Sequence, residues 1–267
     1  MIFIAWWVRL SLYIPPISLN IFQNKKIYRR DLKMDKLYII IPAYNEEENI
    51  DGVAQEWHEI VANCGSESRL VIVDDGSKDG TFEQLTSLQM KLPQLIALTK
   101  PNGGHGATIL YGYNYALDNG ADYIFQTDSD GQTLPSEFKQ FWDNRENYDI
   151  QIGFRKGRQD GFSRVIVTKT LKLVLFLQFG IWITDANTPF RLMSADSLGE
   201  LIIKIPKNHN LSNVLLTVLY HKNNKKIEYY PITFRPRQGG VNSINFKSIT
   251  KIGLKAVKDF SNLKKYI

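Results

Sequence analysis

Four short apolar runs most constrain how this chain can fold: Leu37-Tyr38-Ile39-Ile40-Ile41, Leu70-Val71-Ile72-Val73, Leu95 to Leu98, and Asp122 to Thr127. Each has the length and apolar character of a buried strand, and Pro42 stops the first. The gaps between them have room for helices. Asn45-Glu46-Glu47-Glu48 is expected to open the first helix, with acids at the positive end of the helix dipole. Asp79 or Thr81 can cap the second. Asn102-Gly103-Gly104-His105-Gly106 leads into the third, expected to run through Ala116. Apolar strands separated by helices predict βαβ units and a mainly parallel sheet.

The second half is less regular. Asp149 to Phe154 and Tyr229 to Phe234 read as strands. Phe162 to Gly180 is a helix candidate that is apolar nearly all round, so it is buried or rests on something apolar. Asn245 to Leu263 reads as amphipathic. Ile249, Ile252, Ala256, Phe260 and Leu263 share one face, and Lys247, Lys251, Lys255 and Lys258 line another. It is either a surface helix docked on the body or an interfacial helix with its lysines toward anionic lipid.

The polar clusters share one kind of place. Pro42 to Glu46, Asp74 to Ser77 and Asp128 to Gln132 all follow the carboxyl ends of strands, where open α/β sheets bind ligands. Asp128-Ser129-Asp130-Gly131-Gln132 says most about chemistry. Carboxylates two residues apart in extended chain point to the same side and repel, unless a cation lies between them. Mg²⁺ takes one or two carboxylates and completes its shell with waters and substrate phosphates. An acidic turn is the alternative, because Asp, Ser and Gly all favour turns. Three such clusters at one sheet edge are hard to explain as three unrelated turns.

Charge narrows the partners. The net charge is +6, but the ends carry it. Residues 1–36 hold seven basic side chains against two acidic, and residues 247–267 hold six against one. A mildly acidic body with basic ends does not suit a nucleic-acid groove and suits an anionic membrane surface better. Residues 1–22 are apolar but contain Arg9 and Pro15-Pro16, so they make a poor spanning helix, and no small-residue cleavage site follows. An extension ahead of Met34, or a loosely ordered interfacial segment, is expected instead. Val165 to Ile183 comes closest to a span but is interrupted by Lys169, Lys172 and Gln178. The single cysteine, Cys64, excludes an internal disulfide and fits a reducing, cytoplasmic compartment and a buried place.

Four motifs together resemble family 2 glycosyltransferases. They are Pro42-Ala43-Tyr44-Asn45-Glu46-Glu47, Val73-Asp74-Asp75-Gly76-Ser77-Lys78-Asp79-Gly80-Thr81, Asn102-Gly103-Gly104-His105-Gly106 and Asp128-Ser129-Asp130-Gly131-Gln132. The likeness is strong over residues 37–140 and continues less specifically through Asp185 to Met193 and Arg235 to Ser243. It is greatest to the dolichyl- or polyprenyl-phosphate sugar transferase branch. The resemblance implies a GT-A fold: a Rossmann-like, mainly parallel sheet flanked by helices, with an irregular acceptor-side half. It implies a nucleotide-sugar donor, Mg²⁺ or Mn²⁺, and inversion at the anomeric carbon. The expected parts are an extension over 1–36, a donor-binding half over 37–135, an acceptor-binding half over 136–244 and a basic helix over 245–267.

The resemblance also implies roles. Asp128 and Asp130 would hold the metal, with Gln132 helping. Pro42, Ala43, Tyr44, Glu46, Asp74, Asp75, Gly104, His105, Asp128 and Ser129 would form the donor site. Gly103, Gly104 and Gly106 suggest an anion-facing turn, with a tight loop as the alternative. Arg155, Arg158 and Arg164 would meet an acceptor phosphate, whose geometry suits the arginine fork. Arg191 and Arg235 are placed on the acceptor side, and Arg235, with Arg237 and Ser243, could close over donor phosphates as a flap. Asp130 and Asp185 are the catalytic candidates. A hydroxyl acceptor would need Asp185 as base, whereas with a phosphate acceptor Asp185 would order its loop through Arg191. The expected enzyme sits at the cytoplasmic face of the membrane and loads a lipid phosphate. The alternatives are a cell-wall, capsule or lipid-linked glycan hydroxyl as acceptor, or a non-catalytic sugar-nucleotide-binding subunit. No Gln-x-x-Arg-Trp motif is present, which argues against a processive synthase. A nucleotidyltransferase would carry a Gly-rich basic loop where Pro42 to Glu46 stands.

Overall fold

The computed structural model describes residues 34–155, 162–207 and 209–235, with backbone only for 162–170. The expectations for residues 1–33, for Arg158, Arg237 and Ser243, for the side chain of Arg164, and for the basic helix over 245–263 lie outside the described residues. Seven strands are present among the described residues: β1 (Leu37–Ala43), β2 (Arg69–Asp74), β3 (Leu95–Thr99), β4 (Tyr123–Gln126), β5 (Ile150–Arg155), β6 (Arg191–Ser194) and β7 (Ile227–Ile232). The helices are α1 (Ile50–Asn63), α2 (Thr81–Gln89), α3 (His105–Asp118), α4 (Phe138–Asp143), α5 (Phe162–Phe179), α6 (Ala195–Ile202) and α7 (Ser212–Lys222).

The strands form one sheet in the order β3-β2-β1-β4-β6-β5-β7. β1 lies between β2 and β4, parallel to both, and every one of its residues is buried. Its alternation divides the core between two faces. Leu37, Ile39 and Ile41 join Trp57 of α1, Leu85 of α2 and Phe125, Phe138, Phe141 and Phe190. Tyr38 and Ile40 join Ile109 and Tyr113 of α3, Leu198 of α6 and Leu215 of α7. The second half completes the same sheet. β6 alone runs against its neighbours, pairing antiparallel with both β4 and β5. No helix among the described residues is long and apolar enough to cross a membrane.

The strand order places the site. From β1 the chain steps outward through β2 to β3, then returns to the other side of β1 as β4. That reversal opens a crevice at the carboxyl ends of β1 and β4, the usual ligand site of such sheets. Ala43 and Asp128 lie at its two sides.

One expected element starts later than the sequence suggests: α1 begins at Ile50, not at Asn45. The intervening amides are claimed by side chains across the crevice edge. Asn45 N–H donates to Ser77 Oγ (2.9 Å), Glu46 N–H to Thr81 Oγ1 (2.9 Å) and Glu47 N–H to Asp79 Oδ2 (3.3 Å). Asn45 has φ +53°, which no helix start tolerates. Asp79 accepts from Thr81 N–H at 3.1 Å, but the residue that caps α2 is Gly80, so neither Asp79 nor Thr81 is the cap the sequence suggested. Cys64 is buried in the core, and burial pushes its thiol up to about 11, which makes it an inert packing residue.

α3 carries the Gly103–His105 end of the site, so its seating on β1 matters. A Cβ on Gly112 would lie 2.4 Å from Cγ2 of Ile40, a fully buried β-branched residue of the central strand. Gly112→Ala gains about 1 kcal/mol of helix propensity. Overpacking against a rigid neighbour costs about 1–3 kcal/mol, and at this separation the clash wins. Urea unfolding should show Gly112→Ala destabilised by about 1–2 kcal/mol, whereas a stabilised variant would refute this packing.

Candidate active site

Asp74 and Asp75 end β2 and are both almost fully buried. Asp74 accepts from Gly76 N–H (3.2 Å), Ser77 N–H (3.1 Å) and Thr99 Oγ1–H (2.7 Å). Asp75 accepts from Gly103 N–H (2.9 Å) and Gly104 N–H (2.8 Å) and pairs with Lys100. Burial alone would raise the Asp75 carboxyl, but Lys100 and the Gly103 amide outweigh it and hold it below the usual carboxylate range. Gly103 and Gly104 do face an anion, and it is the chain's own Asp75. Lys100 and Thr99 were not singled out in the sequence, though they directly precede the glycine motif.

Gly104 leads straight into His105, so the loop fixed by Asp75 also sets that ring. His105 Nε2 lies 3.0 Å from Asp128 Oδ1. Partial burial would lower the imidazole, but the Asp128 carboxylate raises it above its ordinary value. Asp75 and Asp128 therefore flank one short segment, 104–105. Gly106 is a close-approach position: a Cβ there would lie 2.2 Å from the His209 carbonyl oxygen. It lets the 209–212 turn pack on the start of α3, where Ser212 Oγ–H donates to the Gly106 carbonyl at 3.1 Å.

The acid loop follows β4. Asp128 and Asp130 are half-buried, and Ser129 is buried. Asp130 Oδ1 accepts from Gln132 N–H at 3.1 Å, and Thr127 and Thr133 share a hydroxyl contact of 2.7 Å beneath the loop. Among the described residues no cluster of three or more His, Cys, Asp or Glu gathers that could hold a metal. The donor set that the sequence suggests is the Asp128 and Asp130 carboxylates and the Gln132 amide. It does not suit a cation caged wholly by protein, and it fits one that keeps waters and binds substrate phosphates. Around the crevice, Pro42 and Ala43 are buried, Glu46 is buried with Asn49 Nδ2 donating to it at 2.7 Å, and the Tyr44 ring is 42% exposed and open to a ligand. A separate groove of about 1090 Å³ runs along α3 past Lys100–Gly103 to Ile202–Lys207, and the acid pair does not line it.

The acceptor-side arginines separate. Arg191 is fully buried and offers nothing to a ligand. Its guanidinium donates to the carbonyls of Thr188 (2.5 Å), Asn213 (3.1 Å) and Ala186 (3.3 Å) and to Thr217 Oγ1 (3.3 Å). Burial lowers it from its usual range, and the carbonyls solvate the charge in place of water. Its expected acceptor contact is thus corrected: it holds the 185–190 loop from inside. Asp185 is half-buried and accepts from Asn187 N–H at 3.3 Å within that loop. Arg155, at the end of β5, stacks its guanidinium 3.9 Å from the Phe234 ring centroid. Arg235 donates to the Gly131 and Thr133 carbonyls and pairs with Glu56, so its guanidinium is spent on the acid loop.

The mainly parallel seven-stranded sheet flanked by helices has the fold of the GT-A glycosyltransferases. Residues 38–202 match the family described as Glycosyl transferase family 2, and the chain belongs to that family. It is similar to the polyprenol monophosphomannose synthase of Mycolicibacterium smegmatis, at 25% identity over 82% of this chain and 85% of that one. It is equally similar to the undecaprenyl-phosphate mannosyltransferase of Micrococcus luteus, at 25% identity over 83% and 95%. Among solved structures it resembles glucosyl-3-phosphoglycerate synthase of Mycobacterium tuberculosis in complex with Mn²⁺ and UDP-glucose. That likeness has a TM-score of 0.60, 14% identity, and coverage of 92% and 82%.

Asp75→Asn tests the internal anion site. An amide offers one acceptor oxygen, so Gly103 or Gly104 loses its partner and Lys100 loses its counter-charge. The expected loss is about 2–3 kcal/mol at neutral pH. The Asp75 carboxyl is lowered in the fold, so its contribution is full above the ordinary carboxylate range and disappears as pH falls through the lowered value. Urea melts at pH 7 and pH 3 should show a smaller acid-side loss in the variant, and equal pH dependence in both proteins would refute the assignment.

Proposed function

We propose that this enzyme transfers a sugar from a nucleotide-diphosphate donor to a polyprenyl phosphate at the cytoplasmic face of a membrane, with inversion at the anomeric carbon. The observation that carries the proposal is the Asp128/Asp130 pair, set at the β1/β4 crevice beside the segment that links Asp75 to His105. The printed names of the two mannosyl-transferring relatives support the acceptor, and the Mn²⁺ and UDP-glucose bound to the structural neighbour support the donor and metal.

A divalent cation, Mg²⁺ or Mn²⁺, would supply charge stabilisation to the departing diphosphate. Asp128 and Asp130 would hold it, with Gln132 contributing its amide oxygen directly or through water. The exposed Tyr44 ring and the Asp74–Asp75 strand end would border the base and ribose. An acceptor phosphate oxygen forms its bond to the anomeric carbon as the bond from that carbon to the donor β-phosphate oxygen breaks. The electron pair leaves with the nucleoside diphosphate. A phosphate is already anionic and needs no base, so Asp185 serves to order its loop. Arg155, with Arg158 and Arg164, would meet the acceptor phosphate.

The membrane has a fitting surface. Leu173, Phe176 and Leu177 form an outward i, i+3, i+4 stripe on α5, and Trp182 follows Gly180 and stacks edge-on against Phe176 at 6.0 Å. These four side chains are 48–71% exposed, while Leu175 and Phe179 turn inward. Residues 161–184 contain Arg164, Lys169 and Lys172 and no acid, which complements an anionic surface. Aromatic residues favour the bilayer interface.

Two experiments test this. Radiolabelled transfer to polyprenyl phosphate should fall about 10²–10³-fold in Asp130→Asn, together with loss of the Mn²⁺-dependent thermal shift by whichever of UDP-, GDP- or dTDP-sugar stabilises the parent enzyme. Transfer at the full rate would refute the metal assignment, and a parent enzyme that transfers no sugar to polyprenyl phosphate would overturn the acceptor. For the membrane face, Phe176→Ser with Trp182→Ser should weaken co-sedimentation with phosphatidylglycerol vesicles about tenfold or more, in line with the area lost. Unchanged co-sedimentation would reject this face as the contact.

A further inference from the structure

We infer that Arg235 is a positioning residue for the cation-binding loop, and that with Glu56 and Gln132 it forms a latch that sets the orientation of the Asp130 carboxylate and the Gln132 amide. The inference rests on the proposal that Asp128 and Asp130 hold a divalent cation.

The latch joins three distant segments. Beyond β7 the chain runs beside the acid loop, and Phe234 forms an isolated antiparallel bridge with Thr133. The main chain of Arg235 is tied at both ends: its N–H donates to the Gln132 carbonyl at 2.7 Å, and its carbonyl accepts from Gln132 Nε2 at 3.1 Å. Its guanidinium then reaches over the turn. Nε donates to the Gly131 carbonyl at 3.1 Å and Nη2 to the Thr133 carbonyl at 3.2 Å. On the far side Nη2 meets Glu56 Oε2 of α1 at 3.0 Å. The carbonyls of three consecutive residues, Gly131, Gln132 and Thr133, are therefore all held by Arg235.

Two consequences bear on the cation. Donation from Gln132 Nε2 fixes that amide, which leaves Oε1 as its acceptor end. Clamping the carbonyls of 131–133 also fixes the peptide whose N–H, on Gln132, donates to Asp130 Oδ1. The carboxylate is thus oriented before a cation arrives. Partners that orient ligands in this way typically alter metal affinity by about 10–100-fold when removed. A planar guanidinium can span two carbonyls and a carboxylate at once, whereas an ammonium on a flexible stem cannot do so in the same geometry.

The test uses the full-length enzyme with UDP and Mn²⁺, reading bound Mn²⁺ by electron paramagnetic resonance, alongside steady-state kinetics and thermal melts. Arg235→Ala should raise the Mn²⁺ dissociation constant about 10–100-fold and raise KM for Mn²⁺ in parallel, while kcat at saturating Mn²⁺ falls much less and KM for the acceptor is unchanged. Arg235→Lys should fall between, and it carries the test if the alanine variant melts too low to assay. Glu56→Gln, which keeps a hydrogen-bonding partner, should have the smallest effect. An unchanged Mn²⁺ dissociation constant in both Arg235 variants overturns the latch, as does a raised acceptor KM with normal Mn²⁺ binding, which would make Arg235 an acceptor contact. No Mn²⁺ binding by the unaltered enzyme overturns both the latch and the metal assignment beneath it.

Discussion

One buried carboxylate carries much of the arrangement. Asp75 is fixed from three directions by Lys100 and by the Gly103 and Gly104 amides. Those bonds join the end of β2 to the loop that starts α3, across a gap in sequence that the strand order alone would leave loose. Charge-assisted hydrogen bonds to a carboxylate are about twice as strong as neutral ones, and with 5% of the Asp75 side chain exposed, little water competes for them. Because Gly104 is held, His105 has a defined position, and through His105 so does Asp128. The crevice is thus built by backbone amides answering to an acid rather than by apolar packing.

The same logic explains how this enzyme buries a second ion. Arg191 has no surface at all, and an isolated guanidinium in that place would be prohibitively costly. It is tolerated because the 186–188 turn and the start of α7 aim carbonyls at its donors. The effect runs both ways: the carbonyls stabilise the charge, and the charge fixes a loop that would otherwise have no reason to turn inward. Asp185 sits at the mouth of that loop, so its position depends on an ion it does not need to touch.

Much of this was legible in the sequence, for identifiable reasons. The inner strands of a mainly parallel sheet are buried on both faces, so β1, β2 and β4 read as apolar runs, and the polar clusters after them fall at one edge by topology. What could not be read depends on partners far apart in the chain. Arg191 lies in a motif that looks like surface, and only the carbonyls of Ala186 and Asn213, from either side of it in sequence, show that it is interior. Arg235 reads as a flap residue until the bridge between Phe234 and Thr133 brings it to the acid loop. β6 is four residues long and antiparallel, too short for periodicity to mark it. The late start of α1 has a similar cause: side chains from 77–81 take the amides that a helix at Asn45 would have used.

These contacts divide the crevice by function. On the β2 and α3 side Asp74, Asp75 and the Gly103 and Gly104 amides are internally matched, and the Tyr44 ring and His105 are the exposed groups beside them. On the β4 side Asp128 and Asp130 are half-exposed, and His105 lies against Asp128. Under the proposed function, a divalent cation held on that side would offset the charge of the donor diphosphate, so metal would bind ahead of, or together with, the donor. An acceptor that is itself a phosphate then has to approach past the same charge balance. On that proposal Arg155, at the end of β5, would answer the acceptor's charge better than a general base would, since a phosphate is already ionised.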